Sequence, residues 1–398
     1  MNTTRDTAAP EQPATTSGNT DERNEQIKLL RESAIAFAKA STDHKRLRAQ
    51  RAVLPGYDTQ IARQMAELGW FAILVPEADG GLGLGLSEMS VVLQELGKCL
   101  LAEPLVASVV LAGQTLRHGD SGELRHRLLA GLAGGTLLPC VAWQEETGGL
   151  DLMPGNTVAT PGNGGWTLDG HKRFVAGAGA ADGFLVTARS DRQAGIFWVP
   201  RDAAGLQIAH EWRADGTPSV SLRLENVAVD AANVLCPPSA QALEGLATAF
   251  EQACVMASAE MLGVVETTLT MTLDYMRNRV QFGKAIGSFQ ALQHRATDLY
   301  IQQELMRAVL DDAVHAFDHN EDRLACSKIA SRCKSRASEA GLRITREAIQ
   351  LHGAIGFTDE YDLGLYVKRA LVLSAWLGNA TAHRRRFAEL NAPLWKAA

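Results

Sequence analysis

A block of short strands between two long helical stretches most constrains how this chain can fold. From about residue 137 to 234 the apolar residues form short or alternating runs: Leu137–Trp143, Trp166–Leu168, Arg173–Val175, Gly183–Ala188, Gly195–Val199 and Val220–Leu224. Turn formers such as Pro161-Gly-Asn-Gly-Gly165 and Asp169-Gly170 separate them. Strands at this spacing predict a small sandwich or barrel. No helix of about ten residues fits between them, so parallel units with helical crossovers are not expected.

On either side the apolar period is helical. Ile27, Leu30, Ala34, Phe37 and Ala38 recur at the steps that one buried helix face requires. Asp58–Leu68 repeats the pattern, and so do Met89, Val92, Leu93 and Leu96. After Pro237-Pro238 one stripe runs through Leu246, Phe250, Cys254, Ala257, Met261, Val265, Leu269 and Leu273. Further periodic stretches cover Gln290–His319, Leu324–Leu351 and a shorter segment after Asp362, which predicts a four-helix bundle. The expected fold is mainly α with a central β domain. Its parts are a disordered tail over 1–22, an N-terminal helical domain over 23–134, a β domain over 135–240 and the bundle over 241–398.

Charge and cysteine use narrow the function classes. With 39 Lys and Arg against 45 Asp and Glu, the net charge of −6 argues against nucleic acid or an anionic membrane as main partner. No apolar run approaches the ~20 residues of a membrane span. Six scattered cysteines without a C-x-x-C predict buried thiols in a reducing compartment, hence a cytoplasmic protein. The N-terminal segment, with Asp6, Glu11 and Asp21, suits neither a secretory signal nor a transit peptide. His315 and His319 lie four apart but lack a third ligand, so no metal is expected. Gly81-Leu-Gly83-Leu-Gly85 imitates a dinucleotide loop without its βαβ setting and reads as a turn.

Five ordered segments carry a resemblance. They are Val75-Pro-Glu-x-x-Gly-Gly-Leu-Gly83, Gln144-Glu145 with Gly149-x-Asp151, Trp166-x-Leu-Asp-Gly-His-Lys172, Arg279-x-Gln-Phe-Gly-x-x-Ile-x-x-Phe-Gln290, and Gln350-Leu-His-Gly-Ala-Ile-Gly356. In this order they resemble the acyl-CoA dehydrogenase family across nearly the whole chain. The resemblance implies FAD, an acyl-CoA substrate, electron-transfer flavoprotein as acceptor, and an oligomer. In it Arg279, Gln281 and Phe282 would reach the pyrophosphate region of a neighbour's flavin, which an arginine fork suits well. Gln350, Gly353 and Ala354 would add a second contact, while Gln144 and Phe174 would face the flavin of their own chain.

Family chemistry needs a carboxylate to take the α-proton of the thioester while the flavin accepts the β-hydride. Both usual positions of that base lack a carboxylate here: the turn Leu377-Gly378-Asn379-Ala380-Thr381 offers Gly378, and the alternative helix position is Ala253. Leu150 and Ala176 also replace usual hydroxyl positions. This pattern is similar to the small, base-less subunit of heteromeric acyl-CoA dehydrogenases of the pimeloyl-CoA or steroid side-chain type, whose homologous partner bears the base. Three alternatives stay open: a homo-oligomer with its base relocated to Glu251 or Glu260, a flavin enzyme of the same fold with different chemistry, and a non-catalytic subunit.

Overall fold

The computed structural model describes residues 16–396 apart from positions 102, 121, 147 and 148. Its regions follow the predicted order of helices, a mixed β-sheet and a helix bundle. The first region contains α1 (Thr16–Ser41), α2 (His44–Gln50), α3 (Thr59–Glu67), α4 (Leu86–Lys98), α5 (Gly113–Arg117) and α6 (Gly122–Ala133). Helix α1 starts inside the segment expected to be a tail through residue 22. Arg23 supplies a physical reason, since its guanidinium donates to Glu88 at 2.8 Å and to Asp318 at 2.6 Å. Residues 1–15 of the expected tail lie outside the described residues.

The bundle holds α7 (Glu244–Asn278), α8 (Gln290–Asp318), α9 (Arg323–His352), α10 (Leu363–Ala375) and α11 (Ala380–Lys396). Among the described residues the expected bundle carries one helix beyond the four anticipated, because the segment after Asp362 breaks at residues 376–379. Helix α7 is apolar and long enough to cross a membrane by composition alone, yet 78% of its most apolar window is buried within the protein. Two glycines let α4 cross it with backbones in contact. A Cβ on Gly97 would lie 2.3 Å from the Glu260 carbonyl oxygen, and one on Gly263 would lie 2.0 Å from that of Gln94.

Asp318, at the end of α8, caps the start of α4. It accepts from the Leu86 amide at 2.7 Å, the Ser87 amide at 3.1 Å and the Ser87 hydroxyl at 2.5 Å. A cap supplied across the fold satisfies donors that no intrahelical carbonyl can reach. Asp318→Ala should lower unfolding free energy by about 1–2 kcal/mol, the cost of a lost cap. Urea denaturation checks this, and an unmoved midpoint would contradict it.

The middle region comprises β1 (Pro139–Ala142), β2 (Val158–Gly162), β3 (Gly165–Ala176), β4 (Gly183–Ser190), β5 (Gln193–Pro200), β6 (Leu206–Trp212), β7 (Pro218–Asp230) and β8 (Val234–Ser239). Hydrogen bonding runs β6-β7-β3-β2-β4-β5-β8, with β1 also on β4. The β1–β4 and β2–β4 pairs are parallel, and no helix crosses between them. Phe184, Phe197, Val220 and Leu222 fill this region's own core. The shape matters because the β3 bulge and the β6–β7 turn face the bundle.

Candidate functional site

A pocket of about 450 Å³ lies where the sheet meets the bundle. From the sheet side Trp143, Gln144, Phe174, Arg213 and Ser219 line it; from the bundle, Leu371, Trp376, Leu377, Gly378 and Asn379. Among the described residues no aspartate or glutamate lines it. Among the described lining residues Arg213 is the one charged side chain.

The β3 strand slips register against β7 between Lys172 and Val175. Phe174 sits in that irregularity with φ 57°, and a bulge of this kind re-aims a side chain away from the regular pleat. Here the ring turns to the pocket, with the Arg173 guanidinium 4.6 Å from its centroid. Next to it, Lys172 is fully buried and donates to Glu145 at 2.8 Å and to the Thr187 hydroxyl at 3.0 Å. Glu145 also accepts from the amides of Gly155, Asn156 and Thr157. Burial opposes its ionisation, but Lys172 and these amides outweigh that and hold it down to about 2. The Glu145 and Lys172 of the recognised motifs therefore fasten the loop beside the pocket. Gln144 lines the pocket and donates to the Glu146 carbonyl at 2.9 Å.

Arg213 stands in the turn between β6 and β7. Its Nε is buried with no hydrogen-bond partner among the described residues. Nearby acids are already engaged: Arg369 donates to Asp215 at 2.8 Å and to Glu260 at 2.6 Å. Burial pushes the Arg213 guanidinium down to about 10, so it is still cationic at neutral pH.

The break between α10 and α11 forms the opposite wall. Leu377 and Gly378 both have positive φ, 58° and 96°. Their carbonyls turn into the bundle, where Lys334 donates to Gly378 O at 3.0 Å and Leu373 O at 2.9 Å, and His383 Nε2 donates to Leu377 O at 2.7 Å. Among the described residues no carboxylate pairs with Lys334, and burial lowers it to about 8. Burial, then Lys334, lowers His383 to about 4. A Cβ on Gly378 would lie 2.5 Å from Leu150 Cδ2 and 2.9 Å from His383 Nε2. The position at which the resemblance would expect a base is thus closed to a side chain.

Gly378, Gln144 and Phe174 thus meet at one pocket. Ala253, expected from the resemblance as the alternative base position, is wholly buried in the apolar core and is not among the pocket's lining residues. Glu251 is clasped by Arg323 and Arg386, and Glu260 by Arg369; neither lines the pocket. Arg279, Gln281 and Phe282 form an exposed hairpin, β9 (Val280–Gln281) and β10 (Lys284–Ala285). Gln350, Gly353 and Ala354 are exposed at the end of α9. Tyr275 stacks on His352 at 4.5 Å, so both groups leave the same end of the bundle. Helix α10 runs from that end toward the pocket, and its length sets them roughly 20 Å apart.

Sequence reasoning missed Arg213, Trp376, Lys334 and His383. Lys334 had a signal, because it shares the buried register of Ala330, Ala337 and Gly341 on α9. Arg213 had none beyond its place after Trp212 in a turn.

Profiles of three acyl-CoA dehydrogenase domains match in succession: the N-terminal domain over residues 24–136, the middle domain over 140–227 and the C-terminal domain over 244–390. The chain is 30% identical over 366 residues to acyl-CoA dehydrogenase IpdE2 of Mycolicibacterium smegmatis, covering 91% of this chain and 98% of that one. Its structure resembles a chain of a Tcur3481-Tcur3483 steroid ACAD variant, with a TM-score of 0.84, 30% identity and coverage of 94% and 99%. It also resembles one from the ChsE4-ChsE5 complex of Mycobacterium tuberculosis, with a TM-score of 0.84, 28% identity and coverage of 92% and 97%.

Proposed function

The chain belongs to the acyl-CoA dehydrogenase family, and from that premise we propose that it is the base-less subunit of a hetero-oligomeric, FAD-dependent acyl-CoA dehydrogenase of the cytosol. The observation that carries this reading is the pocket wall at Gly378, where the usual carboxylate is missing and its space is filled by Leu150 and His383. Both rival carboxylates are buried and held in ion pairs with arginines, which speaks against a relocated base. Two solved relatives are named as pairs of different chains, which supports a partner bearing the glutamate.

The pocket suits the ring of FAD. Trp143, Phe174 and Trp376 offer flat apolar walls, and the orphaned Nε of Arg213 offers a donor. When bound, FAD would supply the oxidising ring that takes up the β-hydride of an acyl-CoA, with electrons leaving to an electron-transfer flavoprotein. This chain's residues would position and shield that ring. Arg279, Gln281 and Phe282, far from the pocket and exposed, would reach the pyrophosphate of a neighbour's flavin, with Gln350, Gly353 and Ala354 beside them.

Co-expression with a glutamate-bearing homologue tests the reading: the two should co-purify as one species carrying the visible flavin band. Separate elution, with the lone chain holding flavin and turning over, would overturn it. Within that complex Arg279→Ala should weaken flavin retention by about 1.5–3 kcal/mol, the worth of a charged hydrogen bond. Unchanged occupancy after dialysis would remove Arg279 from the cofactor contacts.

A further inference from the structure

A second, smaller cavity of about 40 Å³ lies where the end of α2, the β6–β7 turn and α10 meet. The turn gives Arg213 and Ala214 to the larger pocket and Asp215, Gly216 and Thr217 to this one, and no described residue lines both. Arg51, just past α2, lines the small cavity and packs against Gly216, where a Cβ would stand 2.8 Å from Arg51 Cγ. Its Nη1 donates to the exposed Asp359 at 3.0 Å. The opposite edge of the guanidinium, Nε with Nη2, is buried and has no acceptor among the described residues. Two donors side by side on a planar cation form the fork that grips two oxygens of one ion. Buried donors are normally paired, so an empty fork beside a cavity calls for an occupant.

We propose that this cavity is a binding site for a small planar oxyanion, of the class of formate, nitrate and bicarbonate, held bidentately by Arg51. Size agrees, for about 40 Å³ has room for roughly three water-sized atoms. Charge agrees as well. The carboxylates nearby, Asp215, Glu260, Asp359 and Asp362, are matched by Arg48, Arg51, Arg213, Lys368 and Arg369, so an added anion meets no excess of negative charge. Asp215 itself lines the cavity, but its oxygens already accept from Thr217 at 2.5 Å and Arg369 at 2.8 Å. Water competes poorly for the fork, because its own protons would meet those engaged oxygens or the apolar wall of Leu47, Leu100 and Leu365. A bound ion would tie together α2, the turn that carries Arg213, and α10, one element from each region of the fold.

The experiment follows the proton linewidth of formate by NMR as the purified full chain is added. Formate should bind, nitrate should displace it, and gluconate, too long for the cavity, should not. Arg51→Met should weaken formate about 10–100-fold, as loss of a charged hydrogen bond requires. Arg51→Lys keeps the charge but not the fork, and should weaken formate at least about tenfold. Formate binding that ignores either substitution, or gluconate displacing formate as well as nitrate does, would overturn the inference. So would the absence of formate binding, which would leave the cavity to water alone. Should the variants not fold, unfolding midpoints of the native chain take their place, with each ion at low millimolar concentration and constant ionic strength. A ligand that binds only the folded state stabilises it, so formate must raise the midpoint above that in gluconate, and equal midpoints overturn the inference.

Discussion

Purified alone, the chain is expected to show little or no acyl-CoA turnover with an artificial electron acceptor. Co-expression with a glutamate-bearing homologue should raise that turnover by about 10²–10⁴-fold, the usual contribution of a positioned proton-abstracting group. The expectation follows from the pocket lining, in which Arg213 is the one charged side chain and no carboxylate stands among the described residues. Glu251 cannot substitute without breaking its contacts to Arg323 and Arg386, nor Glu260 without releasing Arg369. Removing one member of such a buried network leaves uncompensated charge, at a cost of about 3–5 kcal/mol. Either residue would therefore declare itself through stability before activity. Strong turnover by the lone chain, abolished by Glu251→Gln or Glu260→Gln in protein that still folds, would show that the base has moved.

Helix period and strand spacing made the three-part order legible, since each reports how backbone and apolar face repeat locally. The break between α10 and α11 was hidden because Trp376 and Leu377 continue an apolar run. The helix ends where Trp376 turns extended at ψ 139°, and Leu377 and Gly378 follow with positive φ. The start of α1 was hidden for a different reason. Its polar composition gives no stripe, and Arg23 is held by Glu88 and Asp318, residues far along the chain. Gly378, Gln144 and Phe174, singled out from the sequence, line one pocket. Arg213 was not legible there, because only the meeting of sheet and bundle brings it to the pocket, and His383 was not, because it acts from beneath the turn on the Leu377 carbonyl. Lys334 shares the buried register of its helix, but the carbonyls of Leu373 and Gly378 that its ammonium holds come from the end of α10 and the turn after it, far along the chain.

That hold makes Gly378→Glu a sharp test. Restoring the family's carboxylate at its usual turn should not restore activity, and should lower unfolding free energy by roughly 2–5 kcal/mol. A non-glycine residue at φ 96° carries about 1–2 kcal/mol of left-handed strain. Overpacking adds about 1–3 kcal/mol, because the new Cβ meets Leu150 Cδ2 at 2.5 Å and His383 Nε2 at 2.9 Å. His383 cannot easily yield, since it donates to Leu377 O from beneath the same turn. Leu150 can yield, as a loop residue at the pocket edge. Pairing Gly378→Glu with Leu150→Ala should therefore recover part of the loss, with a coupling of about 0.5–3 kcal/mol, as for residues in contact. Urea midpoints of the four species give that coupling directly. Additive effects would mean that the turn moves away from Leu150 when substituted, and the pocket wall would then be able to admit a base after all.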